Sequence, residues 1–383
     1  MIARNLTARV ELLSDIHIGT GTELMRDVDW IAPGDRYVYF ADSDHLLEEV
    51  FARAEADGKE MREVARVLAG STLTGLYRDL HWLTQADFGE KHPLFRYRLQ
   101  GSPATVAIRE QIKDVYGRPY LPGSSLKGAL RTVLAVAAAE EIRPDLSRLE
   151  GSRSWAGQPV ERQLFGSDPN HDLLRALEVA DSQPVPPTQL RLRRANIYPT
   201  ASQSYRGRSR GLDVDIETLA KGTVLELPIH VPTELLADRN TPFDVRRRQE
   251  LGQWEPRAAW LENLARSGKR HASALLEDEY HFFEKRTDVP DVHRFYIDTI
   301  NLFSKLAKNE FLLVLGWGGG WHTKTLNRYL KRDRAGFDRL VSRYRLNPTG
   351  TTKPGDPFPK SRHLLRLLDK PGPPLGWVKV TLG

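Results

Sequence analysis

The sequence predicts an α+β protein in which strands and helices mix along the whole chain, without regular strand–helix alternation. Three observations carry this. Alternating apolar stretches such as Leu6 to Leu13 and Thr223 to Val231 read as strands, while Leu126, Ala129, Leu130, Val133, Leu134 and Ala137 repeat at helical spacing. Both kinds recur in each half, separated by long insertions. At 383 residues the chain is long for one domain, so two are expected.

Leu6 to Leu13 is the first strand and Arg36 to Ala41 the next. Asp42 or Ser43 can cap a helix carrying Leu46, Leu47, Val50, Phe51 and Ala54, and a second helical stretch covers Met61 to Trp82. Phe95 to Leu99 and Arg109 to Tyr116 read as extended, the latter turning at Tyr116-Gly117. Tyr120-Leu121-Pro122-Gly123-Ser124-Ser125-Leu126-Lys127-Gly128-Ala129-Leu130-Arg131 then reads as a strand end, a Pro-Gly turn and a double-serine helix start. A polar stretch reaches Pro169, and Leu177 to Asp181 is a strand. The break Gln183-Pro184-Val185-Pro186-Pro187 sets the expected boundary between domains at 1–185 and 186–383. Beyond it, Gln189 to Ile197, Asp213 to Glu217 and Thr223 to Val231 are extended, and Pro242 to Leu306 is mostly helical. The short apolar strand Phe311 to Leu315 ends in Gly316-Trp317-Gly318-Gly319-Gly320-Trp321. Helices over His322 to Leu330 and Gly336 to Tyr344 follow, and Trp377 to Leu382 is the last strand. Two ferredoxin-like sheets with helices on one face, interrupted by helical insertions, satisfy this order.

Composition narrows the function classes. Cysteine is absent, which excludes disulfides and thiolate metal sites. No apolar run approaches a membrane span, and the start of the chain lacks a charged-then-apolar signal pattern, so a cytoplasmic protein is expected. Net charge is only +6, yet Ser182 to Leu212 contains no acid while holding Arg191, Arg193, Arg194, Arg206, Arg208 and Arg210. Tyr198 and Tyr205 are interleaved with them. Arginine forks suit phosphate and tyrosine faces stack on bases; a solvated basic face is the plainer alternative.

Three motifs point towards an anionic ligand. At the start of the Ser124 helix, unpaired amides and the helix dipole favour an anion, and Lys127 and Arg131 stand one turn apart on one side. The G-x-x-x-x-G-K-[ST] order of a nucleotide loop is missing, and an ordinary capped core helix is the competing reading. Ser14-Asp15-Ile16-His17-Ile18-Gly19-Thr20-Gly21 follows the first strand, and the Gly316 to Gly320 loop leads to His322 and Lys324. Gly19, Gly21, Gly318, Gly319 and Gly320 permit close backbone approach, and Lys324 opens a helix where phosphate is favoured. His17 has three readings: general base on a ribose hydroxyl, support for its own loop, or RNA contact without chemistry. His322 has the same three. Asp27 and Asp29 can bind Mg²⁺ or simply start a strand, with no third carboxylate adjacent. Trp317 and Trp321 stack on bases or pack against the loop.

As an ordered set, His17-Ile18-Gly19-Thr20-Gly21, the Tyr120 to Arg131 motif and the Gly316 to Gly320 loop resemble the repeat-associated mysterious proteins (RAMPs) of CRISPR effector complexes. With Phe358-Pro359-Lys360-Ser361-Arg362, the chain is most similar to the branch that forms the fifth subunit of type III-A (Csm) complexes. The resemblance implies two RNA-recognition-like ferredoxin folds and a non-catalytic RNA-binding subunit that caps the 3′ end of the guide RNA and assists guide maturation. Implied partners are guide RNA, target RNA as a second candidate, and other Csm subunits, above all the backbone and small subunits. It implies no cofactor, metal or membrane. A RAMP-type endoribonuclease is the alternative. The RNA contacts expected on this reading are His17, Gly19, Gly21, Ser124, Ser125, Lys127, Arg131, Arg206, Arg208, Arg210, Gly318, Gly319, Gly320, His322 and Lys324.

Overall fold

The computed structural model describes residues 4–89, 93–146, 151–199, 213–232, 259–346, 358–359, 361–367 and 370–383. The expected basic loop with Arg206, Arg208 and Arg210 lies outside the described residues. The chain opens with β1 (Arg4–Leu12), β2 (Gly19–Met25), β3 (Trp30–Ile31) and β4 (Tyr37–Ala41). Then come α1 (Ser43–Ala56), α2 (Met61–Gly70), α3 (Leu73–Arg78), β5 (Phe95–Gln100), β6 (Ala107–Gln111), α4 (Gly123–Ile142) and α5 (Gln158–Phe165). The middle holds β7 (Glu178–Val179), β8 (Leu190–Pro199), β9 (Val214–Leu219) and β10 (Val224–Val231). The last part holds α6 (Leu264–Glu284), α7 (Pro290–Phe303), β11 (Glu310–Val314), α8 (Asn327–Leu330), α9 (Arg334–Arg343), β12 (Ser361–Leu367), β13 (Lys370–Pro374) and β14 (Trp377–Leu382).

The mixed α+β class holds. The strands form a five-stranded sheet β11-β14-β1-β10-β7, a six-stranded sheet β13-β12-β8-β9-β6-β2 and a three-stranded sheet β3-β4-β5. Both larger sheets take strands from either side of residue 185, so the sheets do not divide at the expected boundary. The Pro-rich break instead runs along the Pro119 to Leu121 segment, with Ser182 N–H donating to Leu121 O (3.0 Å) and Val185 N–H to Pro119 O (2.8 Å). The expected helix over Met61 to Trp82 is interrupted because Thr72 caps a new one, its Oγ1 accepting from Gly75 N–H (3.1 Å). A helix over His322 to Leu330 is also replaced, by a 3₁₀ turn at Trp321–Thr323 and the single turn of α8.

The main core lies between α4 and the five-stranded sheet. Leu126, Leu130, Val133 and Leu134 of α4 bury against Ala8, Val10 and Leu12 of β1, Leu225 and Leu227 of β10, and Val378 and Val380 of β14. Each of these valine and leucine side chains contributes about 1.5–3 kcal/mol of burial. β1 sits between β14 and β10, antiparallel to both, so the end of β1 is fixed at the middle of the sheet. Among the described residues no helix is long and apolar enough to cross a membrane.

Candidate RNA-binding groove

Past β1 the chain runs between two other loops. Ser14 N–H donates to Trp377 O (3.2 Å), Gly376 N–H to Asp15 O (3.0 Å) and Trp317 N–H to His17 O (2.8 Å), while Ile16 exchanges both backbone bonds with Leu219 (3.0 and 2.9 Å). The Asp15 carboxylate accepts from Lys221 N–H (2.7 Å) and Arg193 Nε (2.6 Å), which pins the segment from the β8–β9 side. The first and third sequence motifs are therefore one structure. Gly316 makes the contact: its φ is 72°, and a Cβ there would lie 2.3 Å from His17 O.

His17 is buried, with Nδ1 2.7 Å from Glu217 O and the Trp317 ring edge-on at 6.1 Å. Burial lowers its pKa, helped by the charges of Arg109 and Lys113, so the neutral ring is favoured. This corrects the expected RNA contact: the ring faces inward and supports the loop. Gly19 and Gly21 lie in the edge strand β2 and not in a loop. Gly19 leaves room for His17 Nε2, 2.8 Å from where its Cβ would stand, whereas Gly21 (φ 92°) is exposed with open space at that point.

At the start of α4 the first amide is already used, since Gly123 N–H donates to Asp181 Oδ1 (2.7 Å). Gly123 is required by packing, because a Cβ would lie 2.1 Å from Val179 O. Ser124 is exposed, and Ser125 and Lys127 are half-buried. Arg131 is not a free cation as expected. Its guanidinium donates to Asp172 (2.7 Å) and Glu161 (2.9 Å) and lies over the Phe165 ring at 4.4 Å. Arg193 and Arg194 are likewise paired, with Asp15 and Asp215, and the buried Tyr198 donates its hydroxyl to Asp288 (2.7 Å).

After β11, Gly318 (φ 97°) passes Leu375 and Gly319 passes Thr323, while Gly320 (φ 77°) turns the chain into the 3₁₀ turn. His322 is buried there, Nε2 3.2 Å from Glu279 Oε1, which corrects its expected place on an RNA-facing surface. Lys324, just beyond that turn, is exposed. A groove of about 520 Å³ runs along the loop, walled by Trp317, Trp321, Phe358 and His363, with Lys324 and Arg153 as its cations. Trp317 packs against His363 (4.6 Å) and Trp321 against Phe358 (5.5 Å), so both tryptophans pack and line the groove. The acids considered for Mg²⁺ hold the β2–β3 turn: Thr74 donates its hydroxyl to Asp27, and Asp29 Oδ2 accepts from Met25 N–H (2.7 Å).

The sequence pattern of the RAMP superfamily matches residues 9–322, most of the chain and all three motifs. The chain belongs to the RAMP superfamily. Among curated RAMP relatives it is similar to the CRISPR system Cms protein Csm5 of Mycobacterium tuberculosis, 24% identical over 341 residues, covering 82% of this chain and 80% of that one. The Csm5 of Methanocaldococcus jannaschii is 23% identical over 429 residues and covers 100% and 90% respectively. The fold is shared with a chain of a Csm–crRNA–target RNA ternary complex of a type III-A CRISPR-Cas system (TM-score 0.72, 23% identity, 98% of this chain and 100% of that one). It is also shared with Csm5 of T. onnurineus (TM-score 0.63, 23% identity, 97% and 99%).

Two buried carboxylates brace the elements behind the groove, and the motifs revealed neither. Glu217 of β9 accepts from Tyr97 Oη (2.6 Å), Gln111 N–H (3.0 Å) and Lys113, while its carbonyl holds His17. Val214-Asp215-Ile216-Glu217-Thr218 reads as a strand with one wet face, but β9 lies inside the six-stranded sheet and is covered on both. Glu279 of α6 joins Arg362 of β12, Tyr296 of α7 and His322. Its neighbours Glu277 and Asp278 pair with Arg328 at the surface, so the run Glu277-Asp278-Glu279 looks solvated in sequence. His271, also on α6, is held neutral, its pKa lowered to about 4 by burial and then by the charges of His322 and Arg328. Unfolded, it titrates at 6.5, so between these values the unfolded chain binds the extra proton and stability falls as pH falls. Lowering pH from 6.5 to 5 is expected to cost about 1.5 kcal/mol at this site. Urea midpoints at the two pH values check this, and His271→Phe should flatten the difference.

Proposed function

We propose that this RAMP protein is an RNA-binding subunit of a type III-A CRISPR (Csm) ribonucleoprotein and carries no catalysis of its own. It caps the complex at the 3′ end of the guide RNA, beside the backbone and small subunits, and assists guide maturation and interference. Guide RNA is its first ligand and target RNA its second. The observation that carries this reading is the groove along the Gly316 loop, braced by the His17 loop through Trp317 N–H, with Lys324 and Arg153 exposed along it. The naming of its curated relatives supports the assignment to the Csm complex. The antiparallel order β14-β1-β10-β7, with α4 leading into β7, supports reading the five-stranded sheet as a ferredoxin-like unit.

Lys127, Lys324 and Arg153 hold guide phosphates in this reading, with Ser124, Ser125 and Gly21 at the surface beside the backbone path. Arg131, His17 and His322 act indirectly, by fixing α4 and the two loops. Replacing Lys127 and Lys324 together by alanine is expected to weaken binding of a repeat-derived guide RNA. The slope of log K against log salt should flatten by about 1.4, roughly 0.7 for each phosphate left without its lysine. An unchanged slope, with circular dichroism showing the fold intact, would overturn the assignment.

A further inference from the structure

We propose that a second cavity, behind Trp321, receives one nucleobase turned out of the bound RNA; this rests on the RNA-binding reading above. The cavity holds about 400 Å³, within the ~300–1,000 Å³ of small-molecule pockets, and lies between α4, α5, α8 and α9. Leu164, Phe165, Leu326, Leu330 and Leu340 make its interior apolar. Arg153, Trp321, Lys324, Thr325 and Leu346 line both this cavity and the groove, so two cations and an indole stand where the two spaces meet. Apolar and aromatic inside, cationic at the junction: this polarity matches a nucleotide, whose flat ring seeks apolar surface and whose phosphate seeks charge.

One further feature orients the ligand. At the α4–α5 wall, Arg131 is pinned between Asp172 and Glu161, and Glu161 itself lines the cavity. Its carboxylate repels phosphate from that wall and leaves Lys324 and Arg153 as the phosphate end. The base therefore enters first and the backbone stays in the groove.

The test compares a short single-stranded RNA with an abasic RNA of the same length, against the wild-type chain and two variants. Intact RNA should bind wild type about tenfold or more tightly than abasic RNA, as loss of one stacked base predicts. Thr132→Trp, which fills the cavity from α4, should bring intact RNA down to the abasic level without changing the salt slope. Ala135→Leu, a milder filling of the same wall, should weaken binding of intact RNA in the same direction and leave abasic RNA unchanged. Equal affinity of wild type for the two RNAs overturns the base pocket and leaves the RNA-binding reading standing. Failure to bind either RNA removes that reading itself. Adenosine 5′-monophosphate binding as tightly as intact RNA would assign the cavity to a free nucleotide and overturn the proposal.

Discussion

Glu279→Ala is expected to destabilise the fold by about 3–5 kcal/mol, the cost of leaving a buried charge without its partner. The carboxylate is buried in α6 and accepts from Arg362 Nε at 2.8 Å on both oxygens, from Arg362 Nη2 at 2.7 Å and from Tyr296 Oη at 3.1 Å. Burial opposes its ionisation, yet Arg362 and then His322 hold it well below the usual carboxylate range. Its contribution is therefore present above the ordinary glutamate value of 4.5 and is lost only as pH falls below it. Without Glu279, the Arg362 guanidinium, whose side chain is 11% exposed, keeps among the described residues the backbone carbonyls of Pro359 and Ser361 and the Phe282 ring at 4.0 Å. Urea unfolding should show the midpoint drop at pH 7. Glu279→Gln with Arg362→Met should recover part of the loss, because removing both charges is far cheaper than stranding one. Full stability in Glu279→Ala alone would show that the network is dispensable. The consequence reaches the groove, since the network joins α6, α7 and β12 to the turn that presents Lys324.

What the sequence made legible follows the range of the interaction. β1, β10, α4 and β14 were readable because their burial is periodic and local: Ala8, Val10 and Leu12 alternate, and Leu126, Leu130, Val133 and Leu134 repeat at helical spacing. The glycine motifs marked close backbone approaches, for a partly different reason than expected. Gly123, Gly316 and Gly319 make room for neighbouring parts of the protein, whereas Gly21 opens to solvent. β2 was hidden because Gly19-Thr20-Gly21-Thr22-Glu23 has no apolar face; its pairing with β6, through a register shift between Gly19 and Glu23, is what makes it a strand. Cations were the least legible. Arg131, Arg193 and Arg194 looked free because Asp172, Asp15 and Asp215, which neutralise them, come from other parts of the chain. Charge runs in sequence thus overcount free cations wherever a sheet brings acids from far away.

Gly316→Ala is expected to cost roughly 2–5 kcal/mol, combining left-handed backbone strain with overpacking. At φ 72° the added Cβ would stand 2.3 Å from His17 O and 2.7 Å from Ile18 Cδ1. Neither neighbour can yield easily. His17 is tied to Glu217 O at 2.7 Å, Ile18 N–H donates to Gln111 Oε1 at 2.9 Å, and Ile18 O accepts from Ile112 N–H at 2.8 Å. Relief must come from parting the two loops, which breaks the Trp317 N–H bond to His17 O and moves Trp317 out of the groove wall. Guide RNA affinity should therefore fall in the same variant, even below its lowered melting temperature. Gly21→Ala is the matched control: its φ is 92°, but nothing lies within 4 Å of the new Cβ, so it carries the backbone strain without the clash. A small stability loss at Gly21 beside a large one at Gly316 would show that contact between the loops, and not backbone strain, sets the cost; RNA affinity is compared between Gly316→Ala and wild type alone, because Gly21 lies beside the proposed backbone path. Equal stability losses at both positions would mean that backbone strain alone sets the cost, and wild-type affinity in a folded Gly316→Ala would mean that the junction of the two motifs is incidental to binding.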